Sequence, residues 1–252
     1  MDKYLSIIRV GVKEFRAYPN RILFSIFNRL LLILILTSVW SHFVKGDFLL
    51  FLRYFVLSQF IVNVYTLSTD IRRGYVNLVI RGWNPFLLKP IRFSLGIFME
   101  NLGYEMIDTL IAVVTAVLLL YLTGFTFGIH ILLLPIVLLL MWFYDMMSGY
   151  LIGGLSYYTY RLWGFNRVWN MLSNLLGGGL VPLWVFPEAS RILLEKLPFP
   201  FRYYYMTQFL LTGEMSYLII GGCWMLVWGI VFGLIGYLLH TFGWKRFESQ
   251  GG

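Results

Sequence analysis

The sequence predicts an all-α integral membrane protein with six transmembrane helices, and three observations carry that prediction. Of 252 residues 59% are hydrophobic, 19% aromatic and only 13% charged, with a mean hydropathy of +0.75, which leaves too little polar surface to cover a water-soluble globule. Apolar windows of about 20 residues, the length that crosses a hydrocarbon core, recur six times along the chain. Lysine and arginine collect in alternate connecting loops. The whole chain, 1–252, reads as a single membrane domain.

The first element covers residues 1–21. Asp2, Ser6, Arg9, Lys13 and Arg16 repeat at three and four residues, while Tyr4, Leu5, Ile8, Val12 and Phe15 take the other side. This predicts an amphipathic helix on the inner leaflet, ended near Pro19. Its charged region is about 20 residues long and no small-x-small cleavage site follows the first apolar run, so the segment is expected to be retained. It serves either as an anchor that orients the first span or as a connecting element touching a cytoplasmic partner.

The spans are placed near Ile22 to Phe43, Phe48 to Leu67, Leu102 to Thr123, Ile129 to Gly153, Val168 to Phe186 and Tyr217 to His240. The third admits an earlier start near Phe93, because Phe93 to Met99 is apolar before Glu100 interrupts it. Lys3, Arg9, Lys13, Arg16 and Arg21 precede the first span, Arg72, Arg73, Arg81, Lys89 and Arg92 lie between the second and third, Arg161 and Arg167 follow the fourth, and Lys245 and Arg246 close the chain. The opposite loops hold only Lys45, Arg191, Lys196 and Arg202. Both termini are therefore expected in the cytoplasm. The net charge of +8 is mostly this topology signal, not a nucleic-acid footprint.

Two connections are more than connections. Residues 70–92, DIRRGYVNLVIRGWNPFLLKPIR, set Tyr75, Val76, Leu78 and Val79 among Arg72, Arg73 and Arg81, and Gly82, Asn84, Pro85 and Pro90 prevent a long helix. A short helix with exposed apolar side chains suits docking into a partner's groove or lying flat on anionic lipid. Residues 177–201, GGGLVPLWVFPEASRILLEKLPFPF, break the fifth apolar run. Glycine and proline free backbone groups that a bilayer cannot satisfy, so Pro182 and Pro187 imply a span leaning on neighbouring helices. After Pro187 an interfacial helix is expected, with Ala189, Ile192, Leu193 and Leu197 opposite Glu188, Arg191, Glu195 and Lys196, stopped by Pro198 and Pro200. The segment is either re-entrant or interfacial, on the outer side.

Charges within spans are costly, about 2.5 to 3.5 kcal/mol each on insertion scales. Glu100, Glu105 and Asp108 open the third span and Asp145 lies inside the fourth. Glu105 and Asp108 share a helix face. They line a polar path or relay protons, or else they pair with Arg29 and Arg53, the two basic residues inside spans; Asp145 is the stronger functional candidate. Most tryptophans, Trp40, Trp169 and Trp184 among them, fall near span ends, while Trp142, Trp224 and Trp228 lie deeper as lipid-facing bulk. Gly149, Gly153 and Gly154, with Gly229, Gly233 and Gly236, predict close helix packing. Cys223 reads as a small buried hydrophobe.

Catalytic machinery is not expected. His42, His130 and His240 are far apart, there is no cysteine cluster, and no H-E-x-x-H or G-x-S-x-G run occurs. No catalytic or metal-binding residue is assigned. There is also no G-x-x-x-x-G-K-[ST] phosphate loop, so any ATP must be bound by another chain.

The run Pro182 to Phe201, with YYYMTQFLLTG at Tyr203 to Gly213, the terminal GWKRFESQGG, the start Tyr4 to Ile22 and the loop Ile71 to Ile91, resembles the permease subunits of bacterial type-2 ABC exporters. The likeness spans nearly the whole chain, and the order of the motifs carries its specificity. Met206 departs from the proline common in such relatives. The resemblance implies a multi-pass permease of the bacterial cytoplasmic membrane. It implies a second permease, identical or related, as one partner, and separate ATPase subunits that hold ATP and magnesium as the other. Arg72, Arg73, Tyr75, Leu78, Val79 and Arg81 would be the ATPase-coupling element; Gly178, Pro182, Pro187, Pro198 and Pro200 the outer gate. Glu105, Asp108 and Asp145 remain positions for a translocation path. The competing classes are a proton-coupled carrier or channel using those carboxylates, and a scaffold without transport.

Overall fold

The computed structural model describes residues 6, 7, 9, 13, 19–63, 93–159 and 162–245. Among them every regular element is helical. Ser6, Ile7, Arg9 and Lys13 are helical, with Ser6, Arg9 and Lys13 exposed and Ile7 buried, as a helix with one polar face requires. The loop expected at 70–92 lies outside the described residues.

Helix α1, Pro19–Val44, starts at a proline, where the missing N–H costs nothing. Lys45 takes a positive φ of 51° to close the turn. Asp47 then caps α2, Phe48–Asn63, by accepting the Leu49 N–H at 3.0 Å. Helix α3, Phe93–Leu122, begins at the earlier of the two expected starts. It ends in a Schellman turn: Gly124, φ +66°, donates to Tyr121 O at 3.0 Å and Phe125 N to Leu120 O at 3.0 Å. A methyl group on Gly124 would meet nothing within 4 Å, so its backbone angle alone requires glycine.

A 3₁₀ turn, Ile129–Leu133, leads into α4, Leu134–Gly154, and after a second short turn comes α5, Leu162–Leu176. The fifth apolar window, Val168 to Phe186, is therefore helical only to Leu176. Gly177–Gly179 and Pro182 withdraw the helix from the C-terminal half of that window, which continues as turn and a 3₁₀ piece, Leu183–Val185. Helix α6, Glu188–Leu194, is followed by a π-helical turn at Phe201–Tyr205, then α7, Met206–Thr212, and α8, Met215–Trp244. The expected stop at Pro198 and Pro200 holds for α6, but a new helix starts at once beyond it.

Among the described residues, helices α4 and α8 form the most extensive contact. A Cβ on Gly229 would meet Phe143 at 2.6 Å, on Gly233 Met147 at 2.9 Å, on Gly236 Tyr150 at 2.8 Å and on Gly243 Tyr157 at 2.6 Å. Gly154 faces Leu239 in the same way, at 2.9 Å. The expected small-residue faces thus seat large side chains of α4 in the hollows of α8. Both residue series rise together, so the two helices run parallel. His240 completes the seam, stacked 4.1 Å from the Tyr150 ring and donating to the Tyr150 carbonyl at 3.0 Å.

Three helical stretches are long and apolar enough to cross a membrane, Leu23–Val44, Ile129–Tyr157 and Met215–Gly243; Phe48–Asn63 and Thr109–Leu122 are shorter apolar helices. At most 33% of the most apolar windows of the three is buried inside the chain. Leucine, isoleucine and phenylalanine exposed along whole helices are stable only against lipid or another protein. Cys223 is exposed on α8, not buried, and belongs to this outward apolar surface.

Candidate functional site

Residues Gly177 to Gly213 are the irregular part of the bundle and also some of its most buried. The chain leaves α5 at Gly177, whose Cβ would collide with the Ser173 carbonyl and come within 2.6 Å of Tyr203. Gly178 follows with φ +96° and would bring a Cβ 2.9 Å from Tyr204 Cβ and 3.1 Å from the Tyr54 hydroxyl. Only glycine fits both the angle and the space.

Helix α2 satisfies the carbonyls that this unwinding frees. Tyr54 donates to Gly178 O at 2.7 Å, and Ser58 donates to Gly179 O at 3.2 Å with Gln59 at 3.4 Å. From α1, Trp40 Nε1 donates to Leu180 O at 2.9 Å. Tyr204 N closes the loop onto Gly177 O at 2.9 Å. Irregular backbone is tolerated at membrane depth only when protein supplies such partners. Trp184 then packs edge-on against Tyr54, ring centroids 4.6 Å apart.

Pro182 is buried at the head of the 3₁₀ piece, and Pro187 is exposed at the start of α6. Ile192 and Leu193 point outward at 52% and 64% exposure, while Leu194, absent from the expected apolar set, anchors α6 to the bundle. Pro198 and Pro200 are buried. Tyr144 donates to Pro198 O at 3.1 Å, which sets this corner halfway along α4. The chain after α6 therefore dips back to the middle of the bundle and rises again through α7. The Pro198 corner is thus internal to the bundle, and α6 is the exposed part of the segment.

At the deepest point sits an ion pair that the sequence reading missed. Arg202 Nη2 donates to Asp145 Oδ2 at 2.6 Å, with side-chain exposures of 1% and 0%. The guanidinium also lies 4.7 Å from the centroid of the Tyr203 ring. Arg202 is therefore not a loop charge, as the basic-residue count took it, but an internal one. Its tell-tale was an isolated arginine in the apolar run FPFRYYY and an isolated aspartate in another, two charges that lipid would not accept singly.

The π turn at Phe201–Tyr205 places four buried side chains in succession, Phe201, Arg202, Tyr203 and Tyr204. Phe201 stacks on Trp224 at 5.4 Å, which gives that deep tryptophan a packing role. Met206 is fully buried, and its methyl lies 2.6 Å from where a Cβ of Gly221 would be. The helix rises to Gly213, φ +77°, where His130 closes this end by donating from Nε2 to Leu210 O at 3.2 Å.

Of the expected site residues, the structure brings together Gly178, Pro198, Pro200 and Asp145 in one buried region, and leaves Pro187 outside it. Arg72, Arg73, Tyr75, Leu78, Val79 and Arg81 lie outside the described residues, as do the side chains of Glu105 and Asp108. Arg53 donates to Thr123 O at 2.7 Å and lies 5.6 Å from the Phe125 ring. No cluster of three histidine, cysteine or acidic side chains suited to a metal ion occurs among the described residues.

Residues 22–251 match the family described as ABC-2 family transporter protein. No curated protein matches the chain.

Proposed function

The chain belongs to the ABC-2 family of transporter proteins, and from that membership we propose that it is the permease subunit of an ATP-driven exporter, forming a path with a second permease. A membrane protein of an ABC transporter works with an ATPase, and this sequence carries no phosphate-binding loop of its own. ATP and magnesium sit on that separate chain. The observation that carries the reading is the match over 22–251, which covers nearly every element described above.

In this reading the loop at 70–92 is the coupling element. Tyr75, Leu78 and Val79 enter a cleft on the ATPase, and Arg72, Arg73 and Arg81 meet acidic groups at its rim. Nucleotide-driven closure tilts the helices, and the difference in contacts between the two states supplies the coupling, typically about 1 to 3 kcal/mol. Residues 177–213 act as the outer gate. Support for that role is the way the segment is tied: to α1 through Trp40, to α2 through Tyr54, Ser58 and Gln59, and to α4 through Tyr144 and Asp145. A tilt of α2 against α4 pulls on both ends of it. The apolar and aromatic surroundings favour an amphipathic or hydrophobic cargo.

A proton-coupled carrier using Asp145 is the weaker reading. A carboxylate that already accepts from a buried guanidinium at 2.6 Å is committed to an internal contact that ties two segments together. Leu78→Glu tests the coupling assignment. The variant inserts normally, but binding of the ATPase subunit to permease-containing vesicles weakens by about tenfold or more, the loss of one buried apolar anchor. Unchanged binding and transport would remove the coupling role from this loop.

A further inference from the structure

We propose that a row of carboxamides on α5, Asn166, Asn170 and Asn174, lines the cargo path and selects a lipid with an uncharged, hydroxyl-bearing head group such as a sugar. The three stand four residues apart and so share one face of the helix. All three are half-buried, while the opposite flank, with Phe165, Val168, Met171 and Leu172, is apolar and 39% to 65% exposed. Trp169 fixes the depth. Its ring lies 5.8 Å from Phe232, near the middle of α8, and 5.3 Å from Phe199. With a rise of about 1.5 Å per residue, Asn166 and Asn174 lie about 6 Å to either side of Asn170 along the axis. The row therefore straddles the middle of the membrane.

A carboxamide that faces hydrocarbon leaves its polar atoms without partners, so lipid tails are not what this flank meets. No described helix packs extensively on α5 either, which puts the row at an edge of the subunit. In a permease that shares its path with a second chain, a polar edge at this depth faces the path. Asn166 and Asn170 hold contacts within the chain, and being half-buried they keep accessible surface as well. Each side chain has two N–H donors and two lone pairs to share. Asn174 Oδ1 is buried and accepts from no described group. Gly179, where a Cβ would lie 3.2 Å from that oxygen, joins the row to Gln59 of α2, whose Nε2 donates to Gly179 O at 3.4 Å. Selection follows from charge. Arg167 is exposed at the N-terminal end of the row, but from Val168 to Phe186 the sequence holds no ionisable side chain, so nothing there compensates an ion for lost hydration. Hydroxyls both donate and accept, as carboxamides do. The apolar flank beside the row lets a tail stay in hydrocarbon while the head follows the asparagines. This inference rests on the permease reading and narrows its cargo.

The test uses the purified full-length protein, with any subunit that accompanies it, in a polyoxyethylene detergent. It is equilibrated with equal amounts of diglucosyl diacylglycerol, phosphatidylglycerol and diacylglycerol of matched chains, and retained lipid is read by native mass spectrometry. Wild type is expected to keep the glycolipid over each of the others by about tenfold, the scale of one net hydrogen bond. Asn170→Leu and Asn174→Leu each lower that ratio by about threefold or more. Asn170→Gln retains it, and Met171→Ala, on the apolar flank, leaves it unchanged. Equal retention by wild type, a preference for phosphatidylglycerol, a ratio that survives both leucine variants, or one lost equally in Met171→Ala would each overturn the assignment. Should one leucine variant fail to fold, the other and the wild-type ratio still decide the matter. Retention needs no ATP, so the two readings fail separately: an ATPase that co-purifies with a protein lacking the preference overturns the selection alone.

Discussion

Removing one partner of the Asp145–Arg202 pair is the sharpest perturbation of the segment from Gly177 to Gly213. Both side chains are excluded from solvent, at 0% and 1% exposure, and the contact is 2.6 Å. Arg202→Met keeps most of the side-chain volume and removes the guanidinium that lies 2.6 Å from the Asp145 carboxylate. Breaking a buried pair in this way costs about 3 to 5 kcal/mol. For a chain of this length each kcal/mol moves the melting midpoint by roughly 2 to 4 °C, so a fall of about 10 °C is expected. Asp145→Leu, which takes the carboxylate from the buried guanidinium, should do the same. The double variant Asp145→Leu with Arg202→Met removes both charges, and an apolar pair of similar volume is often neutral or better. It should recover most of the loss. Intrinsic tryptophan fluorescence during heating in detergent is a suitable assay, because Trp224 stacks on Phe201, next to the pair. Single variants that melt within about 2 °C of wild type, less than about 1 kcal/mol, would refute the account of the segment as internally anchored. So would a double variant whose loss is the sum of the two.

Two further substitutions probe the backbone of the same region. Gly178→Ala puts a Cβ at φ +96° and 2.9 Å from Tyr204 Cβ, and should lower stability by about 1 to 3 kcal/mol; a melting midpoint equal to wild type would show that the loop relaxes freely. Gly236→Val forces apart α4 and α8, because a Cβ there lies 3.1 Å from Leu151 backbone atoms that cannot swing away. The expected result is poor yield of monodisperse protein on size exclusion, and a normal profile would argue against the close packing.

The long elements were legible because membrane burial is written in composition. Ile22 to Phe43, Ile129 to Gly153 and Tyr217 to His240 lie within the helical stretches found, and Gly229, Gly233 and Gly236 sit where a glycine face has to be. Hydropathy was a poorer guide where the chain is buried without being regular. The window Val168 to Phe186 is apolar throughout its C-terminal half, yet Gly177 to Gly179 end the helix at Leu176, and hydropathy does not register a backbone angle. Orientation rules count Arg202 with the loop charges because it lies outside the apolar spans, and an arginine buried beside an aspartate 57 positions earlier looks the same in sequence as a solvated one. The grip of Tyr54, Ser58 and Gln59 on Gly178 and Gly179 links residues about 120 apart, beyond the reach of any local pattern.

The central claim is that this permease is driven by an ATPase on a separate chain. Purification from native membranes in mild detergent, through a tag on the permease, tests it most directly. The account predicts that an ATP-binding subunit travels with the protein, that the complex hydrolyses ATP, and that Leu78→Glu releases that subunit while the permease stays in the membrane. A permease that is recovered intact without any nucleotide-binding partner, and that is equally active in vesicles lacking ATP, would contradict it.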